Sequence, residues 1–275
     1  MSSYTDNSHG PPRITLARLA TMKQQGEKFV MLTAYDASFA RVMDLQNIEV
    51  LLVGDSLGMV IQGHDSTLPV TLDAMVYHTA CVARACRRAL LMADMPFMTY
   101  PDPHTALASA KRLLQEGGAH AVKLEASAAQ TEIVTALAER GIPVCAHLGL
   151  TPQSVHKLGG YKVQGRGQDA AAQMLETAQR LQNAGADMLL LECVPVTLSK
   201  RITQQLTIPV VGIGAGPDTD AQVLVMQDLL GITPGRAPKF SKNFLEGTTS
   251  IAQAITAFRD AVKSGKFPGP EHGFE

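Results

Sequence analysis

Eight short apolar runs punctuate the chain, at residues 29–35, 50–53, 89–93, 121–124, 143–146, 188–191, 210–213 and 223–226. Each is rich in Val, Leu, Ile or Met. Consecutive apolar positions leave no polar face for solvent, so such strands are expected to be covered on both sides, as in a parallel sheet. The last run carries the weakest signal, because residues 221–230 suit a helix equally well.

Between the runs, apolar residues recur at helical spacing behind recognisable caps. Asp36 precedes a predicted helix over 37–46, and Thr71 opens one over 72–87. Asp102 followed by Pro103 supplies an N-cap and a first-turn proline for a helix ending near Gly117. Further helices are predicted over 128–140, 169–184 and 243–263, the first two ending at Gly141 and Gly185. Asp218 is likewise expected to be a cap, and a helix over 15–25 to plug or cover the bottom of a barrel.

Strand and helix thus alternate, which calls for a parallel α/β architecture. Eight repeats in 275 residues favour a closed (β/α)8 TIM barrel over an open, doubly wound sheet. The open sheet would carry a glycine-rich phosphate turn after its first strand, whereas Tyr35-Asp36-Ala37-Ser38 has no glycine. Residues 14–275 are read as a single catalytic barrel domain. Residues 1–13 are polar, with neither an apolar core nor a basic amphipathic pattern, and are read as a disordered tail rather than a targeting signal.

Composition narrows the partners. The formal net charge is −1 and no segment concentrates Lys and Arg, which argues against nucleic acid or an anionic membrane surface. No apolar run approaches the roughly eighteen residues of a membrane span. Cys81, Cys86, Cys145 and Cys193 are scattered, with no CxxC or Cys/His cluster, so neither a disulfide framework nor a zinc site is indicated. A reducing, cytoplasmic location is the natural reading.

Barrel enzymes place their chemistry where strands end. Here the apolar runs end in Asp55-Ser56, Asp94, Glu125, His147 and Glu192, then in the glycines of 212–216. Six successive strands would converge on one mouth. Asp36 is set apart, because a helix begins directly behind it. If the second and third strands are neighbours, Asp55 and Asp94 lie about 5 Å apart. Two carboxylates so placed repel unless one is protonated, solvent screens them, or a cation sits between. A hard divalent ion such as Mg²⁺ suits an all-oxygen set.

Lys123 and Glu125 share one face of their strand by alternation, and that face should look into the barrel. Lys123 is open to two readings, an internal ion pair with Glu125 and a grip on a substrate carboxylate. Glu192, flanked by apolar residues, suits a general base of raised pKa; a salt-bridged or capping glutamate is the competing reading. His147 is open between orienting Glu192, binding substrate and serving as a core histidine. The glycines of 212–216 can cradle a phosphate or simply permit a tight turn. Residues 151–167, glycine-rich and basic, read as a lid or an oligomer contact. Together these residues reach metal-assisted proton abstraction next to a carbonyl, and no further.

Nine motifs extend that reading: LTAYD (32–36), VGDSLG (53–58), QGHDSTLPVT (62–71), ADMPFM (93–98), VKLE (122–125), HLGLTPQ (147–153), GGYKVQGR (159–166), LECVP (191–195) and GIGAG (212–216). In this order, and from about Thr15 onward, the chain resembles the 3-methyl-2-oxobutanoate hydroxymethyltransferase family. The resemblance implies a barrel of the phosphoenolpyruvate mutase/isocitrate lyase type. It implies transfer of a one-carbon unit from 5,10-methylenetetrahydrofolate to 3-methyl-2-oxobutanoate with Mg²⁺, one ion per subunit. The product would be 2-dehydropantoate (ketopantoate), in the first step of pantothenate biosynthesis. Carried over by motif, Asp55 and Asp94 are metal ligands, with Glu125 completing the outer shell. Asp55, Ser56, Asp94 and Lys123 form the oxo-acid site, and Glu192 accepts the proton. A cytoplasmic homodecamer is also implied. No residue is assigned to the folate. The alternatives are a C–C or P–C bond lyase on the same scaffold and a barrel that binds a ligand without turnover.

Overall fold

The computed structural model describes residues 12–233 and 235–275; the expected tail over 1–13 lies almost wholly outside them. Eight parallel strands close into a barrel in sequence order, β1 pairing with both β2 and β8. They are β1 Phe29–Thr33, β2 Val50–Val53, β3 Leu90–Asp94, β4 Ala121–Glu125, β5 Val144–Gly149, β6 Met188–Glu192, β7 Val210–Ile213 and β8 Ala221–Leu224. The helices are α1 Leu16–Gln24, α2 Ala37–Leu45, α3 Leu57–Val60, α4 Leu72–Ala85, α5 Pro103–Gln115, α6 Thr131–Ala138, α7 Val155–Leu158, α8 Gln168–Asn183, α9 Val196–Gln205, α10 Met226–Leu229 and α11 Ile251–Lys263.

The alternation of each strand sorts its side chains between two cores. Val30, Leu32, Leu51, Leu91, Val122, Leu124, Ala146 and Leu189 point outward into the layer shared with the helices. Phe29, Met31, Val50, Leu52, Met92, Cys145, Met188 and Leu190 point inward and fill the barrel. From α1, Leu19 and Met22 join this inner core, and both are fully buried. The expected bottom cover is therefore a plug.

The caps form where the side chains allow. Asp36 accepts from the Phe39 amide at 2.9 Å and Asp102 from the Thr105 amide at 3.0 Å, each satisfying a donor the helix leaves free. Thr71 does the same for Ala74 at 3.1 Å. Asp218 departs from expectation. No helix follows it; β7 returns to β8 through a short loop, and Asp218 instead lies 3.3 Å from Lys200. The glycines of 212–216 serve that loop. A Cβ on Gly216 would stand 2.7 Å from the Val196 side chain, and one on Gly214 would stand 3.0 Å from Phe240 and Phe274. Close packing at Gly214 and Gly216 accounts for the absence of side chains there.

Candidate active site

The polar series lands where the barrel's inner face reaches its C-terminal rim. Asp55, Ser56, Asp94, Lys123, Glu125, His147 and Glu192 line one cavity of about 160 Å³. Its floor is apolar, built from Leu52, Leu190, Ile213 and Val223. All the residues expected at the site are thus brought together. Of the GIGAG run, only Ile213 reaches the cavity.

Asp94 is the hub. Its Oδ2 accepts from the Asp55 amide at 3.0 Å, and its Oδ1 lies 2.9 Å from Lys123 Nζ. That second contact is an ion pair off the hydrogen-bonding line, so Oδ1 retains unused accepting capacity. Lys123 is paired with Asp94 rather than with Glu125, its neighbour along the strand. Burial works to lower the Lys123 pKa, but the Asp94 and Asp55 carboxylates outweigh it and hold the ammonium above its usual range.

Burial, reinforced by the Asp94 charge, pushes Asp55 up to about 7. Burial likewise raises Glu125 to about 9. Glu125 Oε1 accepts from the Gln153 amide at 2.9 Å, whereas Oε2 is buried without a partner among the described residues. On the far wall Glu192, with a side chain 16% exposed, is pushed by burial up to about 7. His147 Nε2 stands 3.2 Å from its Oε2, and Lys123 Nζ stands 3.4 Å from His147 Nδ1. Burial and the Lys123 charge depress His147 well below the ordinary imidazole value, so the ring is neutral. Lysine can only donate, so Nδ1 is the acceptor and Nε2 carries the proton, its contact with Glu192 lying off the hydrogen-bonding line. Directly after Glu192, Cys193 holds φ +49°, a conformation disfavoured for residues with a side chain and a mark of functional turns.

Three residues escaped sequence reasoning. Tyr35 meets Ser56 Oγ at 2.9 Å. Gln153 reaches Asp55 Oδ2 at 2.7 Å, and the Tyr100 hydroxyl donates to Gln153. Gln153 and Tyr35 sit inside quoted motifs, but nothing in the apolar pattern singles them out. The segment over 151–167 does fold against the mouth. Pro152 and Tyr161 line the cavity, and the Tyr161 hydroxyl lies 3.5 Å from Met59 Sδ across it.

A hard divalent ion fits this donor set. Two buried carboxylates repel, Asp94 Oδ1 has capacity to spare, and both groups that would hold the ion offer oxygen. Among the described residues no group of three or more His, Cys, Asp or Glu side chains is disposed to hold an ion. No helix among the described residues is long and apolar enough to cross a membrane.

Comparison with known proteins bears first on the fold and then on the family. The phosphonopyruvate hydrolase complex with oxalate and Mg²⁺ superposes with a TM-score of 0.59 at 12% identity, covering 76% of this chain and 80% of the other. The 2,3-dimethylmalate lyase, a PEP mutase/isocitrate lyase superfamily member, gives 0.57 at 16% identity, covering 91% and 98%. These likenesses establish the barrel type. The 3-methyl-2-oxobutanoate hydroxymethyltransferase of Alkalilimnicola ehrlichii is 59% identical over 261 residues, 95% of this chain and 94% of its own. That of Marinobacter nauticus is 58% identical over 262 residues, 95% and 99% respectively. The family model for ketopantoate hydroxymethyltransferase matches residues 13–270, and the chain belongs to that family.

Proposed function

We propose that this chain enolises 3-methyl-2-oxobutanoate and joins it to the one-carbon unit of 5,10-methylenetetrahydrofolate, forming 2-dehydropantoate (ketopantoate), the first step of pantothenate biosynthesis. The observation that carries the reading is Glu192, a carboxylate raised to about 7 on the wall of the cavity that also holds Asp55, Asp94 and Lys123. A base of that pKa is matched to proton abstraction near neutral pH.

Asp55 and Asp94 would hold Mg²⁺, with Glu125 in the outer shell. When bound there, Mg²⁺ supplies Lewis-acid polarisation of the 2-oxo group. Lys123 presents its ammonium to the substrate carboxylate, and the Ser56 hydroxyl, braced by Tyr35, binds the same end of the molecule. The branched apolar end of the substrate lies on Leu190, Ile213 and Val223, which keep water from the reacting carbon. Glu192 takes the proton from C3, while the neutral His147 holds its carboxylate in place. Carbon C3 then bonds to the one-carbon unit, whose two C–N bonds to the folate break; water supplies the hydroxyl oxygen, the folate nitrogens take up protons, and tetrahydrofolate leaves. Residues 14–275 act as one catalytic domain, and the family resemblance adds a cytoplasmic homodecamer with one ion per subunit.

Glu192→Gln tests the base. Binding of Mg²⁺ and of the oxo acid is expected to persist, while exchange of the C3 proton with solvent deuterium disappears. Unchanged exchange would remove Glu192 from that role. Condensation that runs equally well without folate or formaldehyde, or cleavage in its place, would support the lyase reading.

A further inference from the structure

Gln153 makes four hydrogen bonds at the edge of the cavity, three through its side-chain amide and one through its backbone N–H. Its Nε2 donates to Asp55 Oδ2 at 2.7 Å and to the Met95 carbonyl at 3.0 Å. Its backbone N–H donates to Glu125 Oε1 at 2.9 Å, and its Oε1 accepts from the Tyr100 hydroxyl. The side chain is buried, 8% exposed. The amide has one workable orientation: turned over, its oxygen would face two acceptors, Asp55 Oδ2 and the Met95 carbonyl. Tyr100, itself buried, holds that orientation from the other side.

The consequence falls on the two carboxylates. Asp55 Oδ2 is tied to the Gln153 side chain and Glu125 Oε1 to the Gln153 backbone. Glu125 Oε2 is buried and without a partner among the described residues. One residue therefore fixes how both carboxylates are turned.

That restriction bears on the identity of the ion. Ca²⁺ accommodates six to eight oxygens and readily takes a carboxylate through both of its oxygens. Mg²⁺ demands six ligands in near-ideal octahedral geometry and takes carboxylates through one. We propose that Gln153, held by Tyr100, is a positioning and selectivity residue: its hydrogen bond to Asp55 Oδ2 fixes how that carboxylate is turned, opposes the rotation that two-oxygen coordination needs, and so biases the site toward Mg²⁺ over Ca²⁺. The inference rests on the reading that Asp55 and Asp94 hold the divalent ion.

Calorimetric titration of the full-length protein with MgCl₂ and, separately, CaCl₂ tests it without recourse to activity. Gln153→Met keeps the length of the side chain and removes its amide. Mg²⁺ affinity is expected to fall roughly 10- to 100-fold, the usual cost of losing such a supporting contact. Ca²⁺ affinity is expected to fall less, so that the Mg²⁺/Ca²⁺ ratio shrinks by about tenfold. Tyr100→Phe frees the amide without removing it and is expected to move the ratio in the same direction by less; it serves alone if Gln153→Met does not fold. A ratio unchanged in the folded variants, with wild-type protein binding Mg²⁺ and Asp55→Asn abolishing that binding, overturns the role of Gln153 and leaves the metal site standing. Asp55→Asn that binds Mg²⁺ like wild type overturns the metal reading, and the selectivity role with it.

Discussion

Asp55 shows how burial and a neighbouring charge give one side chain two linked pH dependences. Its folded pKa, raised by burial and then by Asp94, is about 7, against about 3.9 in an unfolded chain. Between those values the folded protein keeps a proton that the unfolded chain has released. The Asp55 contribution to stability in the metal-free enzyme is therefore fully present below about 4, falls as pH rises, and is lost above about 7. Mg²⁺ requires the ionised carboxylate, so proton and metal compete for the same oxygens. Below pH 7, Mg²⁺ affinity is expected to rise by about tenfold per pH unit for the one proton displaced, and to level off above it. Thermal melts with and without saturating Mg²⁺ at pH 6 and pH 8 provide the check. The rise in Tm on adding the ion should be larger at pH 8, and an equal or smaller rise there would show that Asp55 does not exchange a proton for the metal.

At the scale of single elements, the turn after β5 joins packing to catalysis. Gly149 has φ +96°, and a Cβ there would stand 2.2 Å from the carbonyl oxygen of Glu192. The following amide, Leu150 N–H, donates to that same carbonyl at 2.8 Å. The close approach of two strand ends thus holds the backbone of the base. Gly149→Ala adds backbone strain and a clash at once, for an expected loss of about 2–4 kcal/mol in urea denaturation and a fall in kcat as Glu192 shifts. Gly141→Ala is the control: its φ is +72° with nothing within 4 Å, so only the conformational cost of about 1–2 kcal/mol remains. Equal losses from both substitutions would deny the packing argument.

Elements also show what an amino-acid pattern carries and what it does not. Strands β2 and β7 fall on their expected residues because every position in them is apolar. Strand β8 starts two residues earlier than expected because Gln222 masks the run. Its amide is satisfied locally, donating to the Gly216 carbonyl and to Thr219 Oγ1 at 2.9 and 2.8 Å. The last helix begins at Ile251 rather than 243, where Ser250 caps it by accepting from the Gln253 amide at 3.2 Å. Hydroxyl residues 248–250 bond the local backbone and side chains instead of extending the helix. The acids of the site were legible because a carboxylate closing an apolar strand has no solvent to explain it. Gln153 and Tyr100 were not, because their partners come from three other strand ends and only tertiary structure brings them together.

Across the whole molecule, the two ends of the barrel divide the labour. The C-terminal rim spends stability on buried charge, as the raised pKa values of Asp55, Glu125 and Glu192 show. The opposite end is closed by packing: Leu19 and Met22 of α1 seal it against Phe29, Met31 and Val50, all fully buried. Strands of about five residues separate these ends by about 15 Å, and substitutions more than about 10 Å apart without shared partners usually act independently. Leu19→Ala is expected to cost about 2–5 kcal/mol for the lost transfer energy and the cavity it leaves. Urea denaturation should show a lower midpoint at an unchanged m-value, because the fold itself is kept. At a temperature where the variant remains folded, Mg²⁺ affinity and C3 proton exchange should match the wild type, because none of the site's partners has moved. A drop in Mg²⁺ affinity without unfolding would mean that the plug and the rim are coupled through the inner core. The barrel would then have to be treated as one cooperative unit, not as a stable base carrying a costly site.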